Sequence, residues 1–320
     1  MKKKIYVTRQ LPESVLSKLR DQFEVDMWTK EDQPIPKDIL LEKVKGVHGL
    51  LTMLTEQIDS EVFGKAKNLE VVANLAVGYD NIDLEAAKKY DVTVTNTPEV
   101  LNETTADLTF ALLLATARRI PEGVDYIKEN KWETWSPLLL AGSDVHHKTI
   151  GIVGMGNIGE AVAKRATGFE MNILYYNRSR KEKAEDRLGA KYVSFDYLLN
   201  ESDFVVCMTP LTDETKGMFD AEAFSKMKNS AIFINTSRGG VVNEDDLYES
   251  LKTKDIHAAG LDVFRDEPIH RNHPLLELDN VMALPHIGSS SVETRIKMME
   301  LAVDNIERVL KGEKPKTPVK

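Results

Sequence analysis

The sequence predicts an α/β protein of two lobes, on three observations. Its 320 residues exceed what one ordinary hydrophobic core serves, since single cores stop growing at about 250–300 residues. Short β-branched runs alternate with amphipathic stretches, once from Lys4 to about Thr97 and again from Thr149 to about His286, the pattern of parallel sheets covered by helices. A glycine-rich turn at 154–159 opens the second alternation directly after its first strand.

In chain order, the first lobe reads as a strand in KIYVT, a helix over Glu13 to Arg20, a strand in FEVDM, a helix over Lys37 to Lys45 and a strand in VHGLL. EVFGKA and DLEAAKKY continue the helical stretches, and LEVVANLA and VTVTN the strands. From about Leu101 to Arg118 a longer apolar helix follows, whose tail runs through a Trp-rich loop to Asp144; it reads as a connector between lobes. The second lobe then alternates strand TIGIVG, helix NIGEAVAKRA and strand NILYYN with the strands DFVVCM, AIFINTS, AAGLDV and NVMALPH, which is a doubly wound sheet. The last segment, SSVETRIKMMELAVDNIERVL, has helical spacing and no strand after it. It is expected to pack back on the first lobe, making that lobe discontinuous in sequence.

Composition narrows the function classes. Hydrophobic residues are 42% and charged residues 29% of the chain, the mix of a globular protein rather than a disordered or fibrous one. No stretch approaches the roughly 20 apolar residues that cross a bilayer, and MKKKIYVTRQ lacks a signal peptide's apolar region. The single cysteine, Cys207, sits in the apolar run FVVCM and forbids an internal disulfide, so a cytoplasmic location is expected. With 51 acidic against 42 basic residues the formal charge is −9, which offers nucleic acid no electrostatic footprint. Any anion must be held by a local site.

One such site is written in the glycine-rich turn. Gly154, Met155, Gly156, Asn157, Ile158 and Gly159 match GxGxxG between the strand TIGIV and a helix, with a second strand ending at Tyr176, the full context of a dinucleotide-binding unit. Gly154 turns the chain, Gly156 lets backbone approach a pyrophosphate and Gly159 lets the helix lie on the strand. The helix start supplies free N–H groups and partial positive charge to the phosphates. NAD sites place Asp or Glu at the end of the second strand. Here Asn177 stands in that place, followed by Arg178, Ser179 and Arg180. A carboxylate would repel a ribose 2′-phosphate, whereas an arginine offers it charge-assisted hydrogen bonds. NADP is therefore favoured over NAD, against the reading of these residues as a solvated polar turn.

Three polar residues stand at or just beyond strand ends of the second lobe: Arg238 in INTSRGG, Glu267 in LDVFRDEP and His286 in ALPHIGSSS. Open α/β sheets place ligands there. Reduction of a ketone leaves an alkoxide that needs a proton, and histidine suits that task near neutrality. A carboxylate can orient the ring and stabilise its cation, as Glu267 is expected to do. Arg238 can grip a substrate carboxylate bidentately and polarise the keto oxygen. Of the seven histidines, only His286 combines a strand end, a following glycine and a hydroxyl cluster. Taken singly, each of the three also has a structural reading, as a loop histidine, a surface ion pair or a carboxylate at a helix start. No His or Cys pair has metal spacing, so no metal is expected, and there is no GxSxG nucleophile elbow.

These motifs resemble the D-isomer-specific 2-hydroxyacid dehydrogenase family, most closely its glyoxylate and hydroxypyruvate reductases. The resemblance rests on NLAVGYDNID at 74–83, TTADLTFALLLATARR at 104–119, GIVGMGNIG, FINTSRGGVVNEDDLYESL, AAGLDVFRDEP and LPHIGSSS, and covers nearly the whole chain. It implies a Rossmann-type doubly wound dinucleotide-binding domain at 100–289 and a flavodoxin-like substrate domain at 1–99 and 290–320. It maps the catalytic set onto Arg238, Glu267 and His286, with His286 as general acid in the NADPH-dependent reduction of a small 2-oxo acid to a D-2-hydroxy acid.

By the same resemblance, backbone at Val77 and Gly78 contacts substrate and Ser289 helps close the pocket. Asp262 binds the nicotinamide carboxamide, and Pro210, Thr236 and Gly288 line the cofactor. A homodimer is implied, with Trp135 resembling a reductase residue that reaches the partner's active site; simple packing of Trp132 and Trp135 under their loop is the other reading. Asn177 departs from the usual acidic residue and speaks against defaulting to NAD. No long regulatory domain follows Lys320, which weakens the reading as an extended D-3-phosphoglycerate dehydrogenase. An NAD-linked D-2-hydroxyacid dehydrogenase for another acid, and a dinucleotide-sensing protein like the family's corepressors, remain the alternatives.

Overall fold

Strands form where apolar, β-branched residues run short of a helix's length. In the computed structural model, which describes residues 2–319, the chain divides into two compact units, one reaching to Leu101 and resuming at Ser291, the other spanning Asn102–Ser290. The first unit opens with β1 (Lys4–Val7), α1 (Glu13–Arg20), β2 (Glu24–Met27), α2 (Lys37–Lys43), β3 (Gly49–Thr52), α3 (Ser60–Lys65), β4 (Val71–Asn74), α4 (Leu84–Lys89) and β5 (Thr93–Thr95). All neighbouring strands pair in parallel, in the order β2-β1-β3-β4-β5. The central β3 and β4 are buried at every position, as strands covered on both faces must be. Asp59 and Asp83 start α3 and α4 by accepting backbone N–H groups of the first turn, satisfying donors that the helix itself leaves unpaired.

The second unit begins with α5 (Asn102–Ala117) and α6 (Ile120–Lys128), then β6 (Thr149–Val153), α7 (Asn157–Thr167), β7 (Asn172–Tyr176), α8 (Glu182–Leu188) and β8 (Lys191–Tyr192). It continues through α9 (Phe195–Glu201), β9 (Phe204–Cys207), α10 (Ala221–Ser225), β10 (Ile232–Asn235), α11 (Glu244–Lys252), β11 (Ala258–Leu261) and β12 (Val281–Ala283). The seven strands are parallel, in the order β12-β11-β10-β9-β6-β7-β8. The chain winds outward from β6 through β7 to β8, then crosses back to β9 and winds the other way. That reversal between β6 and β9 is the topological switch point at which doubly wound sheets open a crevice.

Two features differ from the sequence reading. The apolar helix α5 is no free connector: Ala106, Phe110, Leu112, Leu113 and Ala117 are buried in the core of the second unit with strand residues of β6 and β10. A Cβ on Gly260 of β11 would lie 2.7 Å from Thr116 Oγ1 and 2.9 Å from Leu112 Cγ, so the helix rests directly on the sheet. The stretch after it contains α6, where a loop was expected. Pro121 and Gly123 look like breakers, but Pro121 falls in the first turn, where proline costs no hydrogen bond.

The final helix, α12 (Val292–Leu310), belongs to the first unit and packs on β3, β4, β5 and α1. Ser291 caps it by accepting the Thr294 N–H. A Cβ on Gly49 would sit 3.1 Å from Ile306 Cγ2, and that close approach seats α12 on β3. The buried Glu307 locks it to α1: Lys18 Nζ lies 2.6 Å away, Gln22 Nε2 donates at 3.0 Å and Lys311 Nζ at 2.7 Å. Burial alone would raise this carboxyl, but the Lys18, Lys311 and Gln22 contacts outweigh it and hold its pKa at about 2, below the usual 4.5.

A depressed carboxyl stabilises the fold above its unfolded pKa, and the contribution fades as pH falls through the folded value. Glu307→Gln should therefore lower stability at pH 7 by roughly 1–3 kcal/mol, the cost of stripping charged hydrogen bonds from a buried group. The gap in thermal midpoint from the parent should close as pH drops from about 4.5 toward about 2. A gap that stays constant across that window in calorimetry would show the clamp to be unimportant.

Candidate active site

The glycine turn builds one end of the site. Leaving β6, Gly154 takes φ +107°, and a Cβ there would collide with the Met208 carbonyl carbon at 2.7 Å, so only glycine makes this turn. A Cβ on Gly159 would stand 2.2 Å from the Gly154 carbonyl oxygen, which is how closely α7 is laid over the turn. At Gly156 the geometry is the opposite: nothing lies within 4 Å of a Cβ position. Gly156 is the N-cap of α7, and no side chain caps that helix end. An open, uncapped amino end fits a pyrophosphate, which supplies the acceptors that the first N–H groups lack.

At the end of β7 the Asn177 amide is turned onto its own loop, donating to the Ser179 carbonyl at 3.0 Å. Arg180 lays its Nε edge on Glu185, at 2.8 Å from Oε1 and with Nη2 2.7 Å from Oε2. Tyr175 donates its hydroxyl to the same carboxylate and accepts the Lys181 N–H, so the loop holding both arginines is braced from below. Arg178 is 83% exposed and only loosely paired with Glu214, at 3.6 Å.

The three candidate chemical groups lie beyond the carboxyl ends of β10, β11 and β12, which are adjacent in the sheet. The ladder continues past the strands: the Asp262 N–H donates to the Asn235 carbonyl, and the His286 N–H to the Asp262 carbonyl, both at 2.9 Å. Asn235, buried at the end of β10, folds the next loop. Its Oδ1 accepts the Ser237 N–H and hydroxyl, and its Nδ2 donates to the Arg238 carbonyl at 3.0 Å. After β11, Glu267 turns back to accept the Phe264 N–H on Oε1 at 2.9 Å. Its Oε2 meets His286 Nδ1 at 2.6 Å, each side chain being 26% exposed.

His286 is held with φ +54°, the left-handed region that a residue with a Cβ enters at a cost of about 1–2 kcal/mol. Such strain persists where surroundings over-determine it, and here they do. The Asp262 carboxylate, fully buried, accepts the N–H groups of Ile287 and Gly288 at 2.8 Å each and closes the turn. Burial pushes that carboxyl up, with the Glu267 charge adding and the two N–H groups and His286 opposing. Burial would raise Glu267 as well, but the hydrogen bond and charge of His286, the Phe264 N–H and the charge of Arg238 prevail and keep it below the ordinary value. Glu267 is thus a carboxylate near neutrality, and Arg238 is close enough for its charge to be felt there.

The chain as a whole is similar to known proteins. Residues 110–288 match the family described as D-isomer specific 2-hydroxyacid dehydrogenase, NAD binding domain. A glyoxylate reductase of Korarchaeum cryptofilum is 50% identical over 316 residues, 98% of this chain and 95% of that protein. The chain belongs to the D-isomer-specific 2-hydroxyacid dehydrogenase family. It is a dehydrogenase dependent on a nicotinamide dinucleotide. A solved structure from Thermus thermophilus is 44% identical with TM-score 0.93, covering 99% of this chain and 100% of that one. An NADPH-dependent glyoxylate/hydroxypyruvate reductase from Sinorhizobium meliloti, solved with NADP and malonate, is 32% identical with TM-score 0.85, covering 100% and 97%.

Other residues singled out in the sequence of this dehydrogenase fall as follows. Thr236 follows β10 and shares a 2.7 Å hydrogen bond with Thr109 of α5. Pro210 follows β9 with its carbonyl accepting the Thr215 hydroxyl at 2.6 Å. Gly288 lies on the Asp262 carboxylate and Ser289 beside it in the same turn. Val77 and Gly78 belong to the first unit, in the loop after β4, where their carbonyls are held by Asn96 Nδ2 and Asn74 Nδ2, each at 2.8 Å. Trp132 and Trp135 do not pack under their loop: they are 61% and 76% exposed. Sequence reasoning missed Asn235, whose side chain bonds only the loop two and three residues on, and Glu244, whose partner Arg265 is 21 positions away. No group of His, Cys, Asp and Glu among the described residues could hold a metal ion. Nor is any described helix long and apolar enough to cross a membrane.

Proposed function

We propose that this chain is an NADPH-preferring reductase of glyoxylate and hydroxypyruvate, with His286 as general acid, Glu267 as its partner and Arg238 as the substrate's anchor. The observation that carries the reading is the 2.6 Å contact between His286 Nδ1 and Glu267 Oε2. With Nδ1 turned to a carboxylate, Nε2 is the nitrogen left to bear a proton toward substrate. In this reading the second unit is the dinucleotide-binding domain, with the pyrophosphate on the amino end of α7 and the nicotinamide amide near Asp262, whose oxygens each keep a lone pair beyond their backbone bonds. Bound there, the reduced dinucleotide supplies a hydride. Arg238 holds the acid's carboxylate and draws charge from the keto oxygen. His286 gives its Nε2 proton to that oxygen as the alcohol forms; Glu267 stabilises the imidazolium before the transfer and accepts the Nδ1–H of the neutral ring after it.

Preference for NADPH rests on the loop after β7. Asn177 removes the charge that would repel a 2′-phosphate, Arg178 is exposed, and the Arg180 edge not committed to Glu185 keeps donors in a braced position. A small substrate is supported by the relatives' names, which are those of reductases of glyoxylate and hydroxypyruvate. A second copy of the chain is proposed to cover Ile120, Val124, Ile127, Trp132, Trp135 and Leu138, all 44–81% exposed along α6 and the loop after it, because monomeric surfaces rarely expose so many large apolar side chains together.

Steady-state rates with glyoxylate, hydroxypyruvate, pyruvate and phosphohydroxypyruvate, each with NADPH and NADH, test substrate and coenzyme together. The first two acids with NADPH should give the highest kcat/KM, and Asn177→Asp should move preference toward NADH. A lower KM for NADH in the parent defeats the coenzyme assignment, and NADPH binding with no turnover of any acid defeats the enzyme reading. His286→Asn should keep NADPH affinity yet lose about 10²–10⁴ in kcat, the usual worth of a positioned acid. Arg238→Ala should raise KM for the keto acid as well; normal kinetics in either variant breaks the roles. Sedimentation velocity should show a dimer that Trp135→Ala weakens, and a fully active monomer removes the proposed interface.

A further inference from the structure

Of the buried carboxylates outside the proposed chemistry among the described residues, Glu56, Glu244 and Glu307, only Glu244 belongs to the second unit. Glu244 is the first residue of α11, 4% exposed, and its charge is favoured at a helix start. Its Oε1 accepts the Arg265 N–H at 2.6 Å, reaching from the start of α11 to the loop after β11. Its Oε2 faces His273 Nε2 at 3.3 Å. His273 Nδ1 accepts the Leu275 N–H at 3.4 Å, which leaves the ring proton on Nε2 to donate to Glu244.

The Arg265 N–H belongs to the Phe264–Arg265 peptide, and that peptide is gripped from two further directions. A Cβ on Gly239 would lie 1.8 Å from the Phe264 carbonyl carbon and 2.3 Å from the Arg265 nitrogen. The residue after Arg238 is therefore pressed flat against it, and any side chain at 239 would drive the two loops apart. The neighbouring Phe264 N–H carries Glu267 Oε1. One short stretch of backbone thus sets both where Arg238 leaves its strand and where Glu267 points, and Glu244 holds its Arg265 end.

We propose that Glu244, itself held by His273, is a positioning residue for Glu267, keeping the 264–267 loop where the carboxylate meets His286; this rests on the role proposed above for Glu267. Glu244 acts on the 264–267 loop through the Arg265 N–H, so its influence on Glu267 passes through the backbone. Misplacing a reacting group by about 1 Å costs on the order of 10²-fold in rate, and a loop freed at Arg265 needs only part of that displacement. Outer partners of this kind are coupled to the groups they hold, so their effects fail to add.

The test is a double-mutant cycle on kcat with glyoxylate and NADPH, using the parent, Glu244→Ala, Glu267→Gln and the double variant, with NADPH affinity followed by fluorescence. Glu244→Ala should lower kcat about 10-fold and leave NADPH affinity within about 2-fold; in the Glu267→Gln background the further loss should shrink below about 2-fold. Glu244→Gln should recover most of kcat, because its amide oxygen can still accept the Arg265 N–H. If Glu244→Ala is not recovered folded, His273→Ala enters the same cycle, expected to lose about 3-fold in kcat with the same non-additivity. Undiminished loss in the Glu267→Gln background, or no loss in the single variant, overturns the role of Glu244 alone. Full activity of Glu267→Gln overturns the assignment of Glu267, and this proposal with it.

Discussion

The carboxyl ends of β10, β11 and β12 finish level with one another, and the hydrogen-bond ladder runs on beyond them. Asp262 binds the Asn235 carbonyl through its N–H and offers its own carbonyl to the His286 N–H, both at 2.9 Å. Because parallel strands all present the same end to one edge of the sheet, three loops far apart in sequence must begin side by side. That constraint brings residues 238, 267 and 286 into one neighbourhood. Each loop then needs only a local device to aim its side chain: Asn235 for the first, the Phe264 N–H for the second, the Asp262 carboxylate for the third.

Those devices carry an energetic logic. A histidine in left-handed backbone costs free energy, and a carboxylate half withdrawn from water is destabilised until paired. The two costs are offset together at the His286–Glu267 contact and at the N–H groups of Ile287 and Gly288. Rigidity at this edge has a source in the core beneath. Phe204, Val206, Ile232 and Ile234 are essentially inaccessible, with α5 against the same face, and a close-packed interior leaves the strand ends little room to shift.

Legibility in the sequence followed how local each cause was. The glycine turn was readable because its reasons lie within six residues: a positive φ at Gly154, an open face at Gly156 and a helix laid on the turn at Gly159. The strands β3, β4, β9 and β10 were readable because burial on both faces leaves unbroken apolar runs. The two-residue edge strand β8 was not, since two exposed positions carry no period. Nor was α6, whose exposed apolar residues and early proline imitate a loop. The grip on the Phe264–Arg265 peptide was invisible for a different reason: Glu244 and Arg265 are 21 positions apart and meet through a backbone N–H that has no signature in residue type.

By itself the sequence determined the class of fold, the glycine turn and which three polar residues were candidates, because propensity, burial period and side-chain chemistry are properties of residues and their near neighbours. Tertiary structure alone decided that Nδ1 of His286 faces Glu267, that Arg180 is braced by Glu185 while Arg178 is not, and that α12 closes onto β3 through Gly49. Each of those depends on distances between segments that only strand order and packing establish, and no local pattern encodes a distance across a sheet.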